Sequence, residues 1–175
     1  TEAICRFQTK GNLVDVRPLE RGHIHDTFVS RWQEEGGQYQ FIHQRMNGQV
    51  FPDLERLMEN IHTVSQHMVE RLVDKDSDGF EPLRLVPTKE NQPFAQSDSG
   101  AWRTYVFIEN TSSFDRCQSQ DQAYEAARAF GWFQSQLRDL APDRLHVTLD
   151  KFFDSQHRFN QFQQALASAT AERKQ

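Results

Sequence analysis

Arg21-Gly22-His23-Ile24-His25-Asp26-Thr27-Phe28-Val29, followed after a short gap by Gln38-Tyr39-Gln40-Phe41-Ile42-His43-Gln44-Arg45-Met46-Asn47, is the stretch on which the fold is decided. It reads as a glycine-containing turn between two strands, then a third strand ending in polar side chains. Gly22 lets the chain turn where a Cβ would clash, and the small polar residues after it offer backbone N–H groups and a hydroxyl to phosphate oxygens. Two readings stand on this pattern alone: an ordinary β-hairpin with His23, His25 and Asp26 solvated, and a cradle for nucleotide phosphates.

Working outward, strands are expected over residues 13–16, 27–32 and 39–45. Glu35-Gly36-Gly37 joins the last two, its glycines permitting the positive φ of a tight hairpin. A three-stranded meander needs a helix on one face to be stable. Leu54, Leu57, Met58, Ile61, Val64, Met68 and Leu72 supply one, recurring at three- and four-residue spacing. Pro52 and Asp53 sit where a missing N–H and a negative charge are favoured, so the helix is expected over 53–72.

Leu83-Arg84-Leu85-Val86 and Trp102 to Ile108 read as two further strands, separated by a turn region rich in Pro, Asn, Ser and Gly. A second helix is expected over 120–140, with Ala123, Ala127, Phe130, Phe133 and Leu137 on its apolar side and small residues that let another helix approach. Phe159, Phe162, Leu166 and Ala169 predict a third helix, ending at a charged tail, 171–175. The order β-β-β-α-β-β-α-α predicts an α+β domain with a five-stranded antiparallel sheet, not a doubly wound one.

Composition narrows the function. The 175 residues carry a net charge of −5, and no basic run longer than two residues precedes Arg173-Lys174. Nucleic-acid binders need a basic face to displace counterions, so nucleic acid is not an expected partner. No stretch approaches the ~20 apolar residues of a membrane span, and no signal pattern opens the chain. Cys5 and Cys117 are too few and too far apart for a disulfide framework or a metal knuckle, so a reducing cytoplasm is the expected location. The chain opens on Thr1 rather than Met, so a trimmed N-terminus is expected. The apolar fraction of 37% is below the roughly one half usual for a domain, which predicts apolar surface shared with something absent.

Other constellations are weaker. Asp74-Lys75-Asp76-Ser77-Asp78-Gly79 matches the first half of a calcium loop, but the twelfth position, which must supply a bidentate carboxylate, is Leu85. His23 and His25 alternate as on one strand face, while His62 and His67 are spaced i to i+5 where a zinc helix needs i to i+4. No metal ligand is assigned. No G-x-S-x-G elbow occurs, and neither cysteine has a recognisable activating neighbour. Glu59, within Leu57-Met58-Glu59-Asn60-Ile61, reads equally as an exposed helical carboxylate or as the partner of a third-strand side chain that positions phosphates. Val106, Phe107 and Ile108 read as plain core, or as a hinge whose backbone addresses an adenine edge.

Taken together, Gly22 to Thr27, Gln44-Arg45-Met46-Asn47 with Val50-Phe51, Leu57 to Ile61, Trp102 to Thr111 and Ala126 to Phe133 resemble the aminoglycoside phosphotransferase/choline kinase superfamily. The nearest likeness is to its N-acetylhexosamine 1-kinase-like branch. The motifs cover nearly the whole chain in the family's order, and the combination is more specific than any member.

The resemblance implies a protein-kinase-like N-terminal lobe over 1–110 and, over 111–175, a linker and the helical start of a C-terminal lobe. It implies ATP and Mg²⁺ as cofactors and a small-molecule substrate, an amino sugar by branch likeness alone. Gly22, His23, Ile24, His25, Asp26 and Thr27 would cover the phosphates, with His25 departing from the branch's usual Asn. Gln44 stands where many kinases have lysine, with Arg45 as the alternative, because adjacent strand residues point to opposite faces. Glu59 would be the helix partner, and Val106, Phe107 and Ile108 the adenine hinge.

The family's H-G-D loop, metal-binding Asn and later metal-binding Asp have no counterpart here. Asp143, Asp150 and Asp154 lack that context. The resemblance therefore implies the N-terminal half of a kinase, with no catalytic residue in this chain and with its Mg²⁺ ligands in the absent half. The alternative is a non-enzymatic, kinase-like lobe that docks on a partner.

Overall fold

A computed structural model of the chain describes residues 2–20, 22–72 and 80–170. Arg21, the acidic stretch 74–79 and the tail 171–175 lie outside the described residues. The elements run β1 (Asn12–Pro18), β2 (Asp26–Glu34), β3 (Gly37–Arg45), α1 (Leu54–Leu72), β4 (Leu85–Val86), β5 (Ala95–Ser97), β6 (Gly100–Val106), α2 (Gln120–Leu137) and α3 (Ser155–Ser168).

All strand pairs are antiparallel, in the order β1-β2-β3-β6-β4, with β5 folded back on β6. The architecture is the expected α+β lobe, with six strands in place of five. The extra strand, Ala95–Ser97, falls in the segment read as turn, where short polar residues carry no β-branched or aromatic signal. The stretch expected over 83–86 pairs only through Leu85 and Val86. The last strand begins at Gly100 and stops at Val106, so Phe107 and Ile108 leave the sheet.

The β2–β3 hairpin sets the alternation, running in continuous register from Asp26↔Arg45 to Glu34↔Gly37. One sheet face carries Trp32, Phe41 and Trp102, closed by an N-terminal 3₁₀ turn (Ala3–Arg6) through Ile4 and the fully buried Phe7. The other face carries Met46 and Ala101 and receives α1 through Met58, Leu54, Leu57 and Ile61. Phe7 and Met58 are both 0% exposed, and complete burial of such side chains stabilises by roughly 1.5–3 kcal/mol each.

The helices begin where their caps are. Asp53 accepts a hydrogen bond from the Arg56 N–H at 3.0 Å, Ser119 from that of Gln122 at 3.1 Å, and Asp154 from that of His157 at 2.9 Å. Asp154 is therefore a helix cap. Helix α2 ends at Leu137, three residues before the expected end, and neither α2 nor α3 has a buried residue. Phe130, expected on an apolar packing side, is 71% exposed. Among the described residues no helix is long and apolar enough to cross a membrane.

Candidate functional site

The α1-bearing face of the sheet continues past the helix into an open cleft of about 760 Å³. Its walls are Ile42 and Gln44 of β3, Arg103, Tyr105 and Val106 of β6, Leu19 at the end of β1, Leu83, and the segment from Phe107 to Ser113. That volume lies in the range of small-molecule sites. Gln44 is opposite Arg103 and Ile42 opposite Tyr105 in the β3–β6 register, so the period-two alternation that buries Met46 and Ala101 under α1 aims these four side chains into the cleft.

Arg103 is the charged centre of this face. It is 8% exposed, its Nε and Nη2 donate to Gln44 Oε1 at 3.0 and 2.8 Å, and its guanidinium lies 5.5 Å from the Tyr105 ring centre. Burial lowers the Arg103 pKa and raises that of Tyr105. Gln44 turns its amide nitrogen to Thr27 Oγ1 at 3.2 Å, so one chain of hydrogen bonds crosses from β6 through β3 to β2. Arg45, on the opposite face, donates through Nε to Asp26 at 2.8 Å. The cleft cation thus comes from β6, not from the third strand, and the sequence reading assigned Arg103 no role. The available signal was a charged residue two positions from Tyr105, alternating with Trp102 and Thr104, in the interior of a strand.

The glycine turn divides its residues between two sides. Gly22 has φ +94°, and a Cβ there would meet no atom within 4 Å, so glycine answers to backbone conformation and not to crowding. His23 is exposed. Ile24, Asp26 and Arg45 border a separate polar niche of about 300 Å³ with Asn47 and Gly100, while Thr27 faces Gln44. His25 is a brace: its Nδ1 accepts the Asn47 N–H at 3.1 Å and its ring lies 5.6 Å from Phe51. Burial lowers its pKa, with the nearby Arg103 charge acting in the same direction. His23 and His25 lie in the turn before β2, not on a strand face as the zinc reading required. Among the described residues no three His, Cys, Asp or Glu side chains converge on a metal position.

At the cleft's rear, the Val106 N–H donates to Arg84 O at 3.0 Å and the Phe107 N–H to Gln40 O at 3.2 Å. The Thr111 hydroxyl donates to Ile108 O at 3.1 Å. Among the described residues no acceptor takes the Ile108 N–H.

Glu59 is placed differently from the expected third-strand partnership. It is exposed and pairs with His146 at 2.6 Å, while the adjacent Asn60 clasps the His146 backbone, accepting its N–H at 2.7 Å and donating to its carbonyl at 2.8 Å. The face turned to the sheet is taken by Met58 and Ile61, and one residue along a helix rotates a side chain about 100° away. A further apolar cavity of about 440 Å³ lies between α1 and α2, lined by Ile61, Val64, Met68, Tyr105, Trp132 and Phe133.

The fold defines a class: a kinase-like N-terminal lobe, with an antiparallel sheet, one packed helix and an open cleft on the helix-bearing face. No family model matches the chain. Among solved structures, the chain is similar to an aminoglycoside phosphotransferase from Alicyclobacillus acidocaldarius subsp. acidocaldarius DSM 446. The TM-score is 0.56 and the identity 13%, over 95% of this chain and 42% of that one. The likeness is one of fold, and the chain spans 42% of that protein's length.

Proposed function

We propose that the chain is the nucleotide-binding portion of an ATP-dependent small-molecule phosphotransferase, with an amino sugar of the N-acetylhexosamine type as the substrate. The observation that carries the reading is the cleft itself. It combines a buried guanidinium with the Gln44 amide, itself bonded to the Thr27 hydroxyl, and with apolar walls from Leu19, Ile42, Leu83 and the segment that holds Ile108. Those features match an anionic chain attached to a flat, hydrogen-bonding heterocycle. Leu19, Ile42 and Leu83 would hold the base, and the Ile108 N–H would read its edge.

Phosphoryl transfer needs metal neutralisation and a positioned base for the acceptor hydroxyl. The described residues do not fit Mg²⁺, since no three His, Cys, Asp or Glu side chains among them converge. In this proposal the metal ligands and the base belong to chain beyond these 175 residues. The exposed aromatics of α2 and α3 favour, as a second reading, a non-enzymatic lobe that docks on a partner. Isothermal titration of the chain with ATP and with N-acetylglucosamine separates these. Saturable ATP binding without phosphorylation of the sugar is expected. Turnover by the chain alone would refute its incompleteness, and absence of nucleotide binding would leave the docking reading.

A further inference from the structure

Arg103 is a buried cation without a counter-ion. Burying an unpaired charge is costly, and buried charges are ordinarily paired with an opposite one. Here the guanidinium is nine-tenths buried, yet its hydrogen-bond acceptor is the neutral amide oxygen of Gln44, which takes Nε and Nη2. No carboxylate among the described residues pairs with it; Asp26, the nearest acid in the turn, is held by Arg45 on the other face. Its Nη1 has no protein acceptor. Because no occluded side-chain nitrogen or oxygen among the described residues lacks a partner, that Nη1 is open, and Arg103 lines the cleft.

The groups beside it are donors as well. Gln44 uses one amide hydrogen on Thr27 Oγ1 and keeps the other; Thr27, whose oxygen accepts that bond, keeps its own hydroxyl hydrogen. Aromatic contact with Tyr105 offsets part of the burial cost of the charge without neutralising it.

We propose that Arg103 is the phosphoanion-binding residue of the cleft, oriented by Gln44, so that the cation this fold needs is supplied from β6 in place of a third-strand lysine. This rests on the nucleotide reading above. A planar guanidinium with an open N–H, flanked by amide and hydroxyl donors and no acceptor carboxylate, matches the many acceptor oxygens of a polyphosphate.

The test is titration of the 175-residue chain, without added metal, with ATP, adenosine and inorganic tripolyphosphate. The wild type is expected to bind ATP more tightly than adenosine, and tripolyphosphate to raise its thermal midpoint. Arg103→Met should weaken ATP roughly 10- to 100-fold, to the level of adenosine, leave adenosine unchanged and abolish the tripolyphosphate effect. Gln44→Glu covers the case in which the first variant fails to fold: it keeps the arginine but supplies an internal carboxylate 2.8 to 3.0 Å from its nitrogens, and should erase the preference for ATP in the same way.

If either folded variant kept the wild-type ratio of ATP to adenosine binding, the Arg103 assignment would be overturned while the nucleotide reading stood. Equal wild-type affinity for ATP and adenosine would overturn it likewise. A wild-type chain that bound neither would overturn both.

Discussion

Three consecutive residues of β3 meet three different environments because the strand turns each side chain to the opposite face from the last. Gln44 enters the cleft, Arg45 pairs with Asp26 outside it, and His43 is driven into the core, 0% exposed, between Ser30 Oγ at 2.6 Å and Thr104 Oγ1 at 2.8 Å. Trp32 Nε1 donates to the same Ser30 oxygen at 2.7 Å. A neutral ring with its proton on Nδ1 satisfies every member, the Ser30 hydroxyl donating to Nε2 and Nδ1–H to Thr104. Burial pushes the His43 pKa down to about 4 from 6.5. The unfolded chain therefore takes up a proton first as pH falls, and the folded state loses stability between pH 6.5 and 4, being fully stabilised above that window. Carried to the lower end, the loss from this residue is roughly 3 kcal/mol. Urea denaturation midpoints should fall between about pH 7 and about pH 5, and His43→Gln should flatten that slope. An unchanged slope in the variant would remove His43 as the cause. The alternation that separates Gln44 from Arg45 was legible in the sequence, and so was the glycine turn, whereas the last strand leaves the sheet after Val106, two residues before the expected end at Ile108. The buried polar ladder and the place of Arg103 beside Gln44 were not, because each depends on which residue lies across the strand, and register between β3 and β6 is not written in either segment.

At the scale of elements, helix α1 was readable almost to the residue, since its apolar period and its Asp53 cap agree. The 3₁₀ turn that closes the opposite sheet face was missed. Four residues have too little period to reveal themselves, and Phe7 is recognisable as core only once Trp32, Phe41 and Trp102 surround it. Glu59 illustrates the same limit: its helix was correctly read, but the partner it meets, His146, lies in a connection with no pattern of its own. The two glycines that flank β1 differ in a way that gives a test of packing against backbone conformation. Gly11 has φ +76° and a Cβ there would stand 2.4 Å from Gln33 O on β2, whereas Gly22 has φ +94° with open space around it. Gly11→Ala should cost roughly 1–3 kcal/mol from backbone strain, with the clash added to it. Gly22→Ala should cost only the strain, roughly 1–2 kcal/mol. Thermal unfolding of the two variants should rank Gly11→Ala the less stable, and the reverse order would refute the close approach of Gly11 to β2.

At the scale of the whole molecule, the sheet lobe is well closed and the helical end is not. No residue of α2 or α3 is buried, although both helices carry aromatics: Tyr124, Phe130, Phe159 and Phe162 are all more than half exposed, and Phe153, just before α3, is 92% exposed. At the end of α2 polar contacts tie it to α1, where His67 meets the Gln136 carbonyl at 3.1 Å and Arg71 pairs with Asp139. A chain that is only 37% apolar by composition nonetheless places these large apolar side chains in water, which is a strong departure for a protein that works as an isolated monomer. On the proposed reading they are covered by further chain, consistent with a fold neighbour of which these residues span 42%. The chain on its own is therefore expected to bind a hydrophobic dye in its native state and to associate with rising concentration in sedimentation velocity. Phe130→Ser combined with Phe162→Ser should reduce both effects, because each removes a ring that is already in solvent, while the unfolding free energy from urea titration stays within about 0.5 kcal/mol of wild type. A monomer at every concentration with no dye binding would mean that these aromatics are packed by a rearrangement of α2 and α3 onto the lobe. In that case neither the half-kinase nor the docking reading would retain its argument from exposed surface.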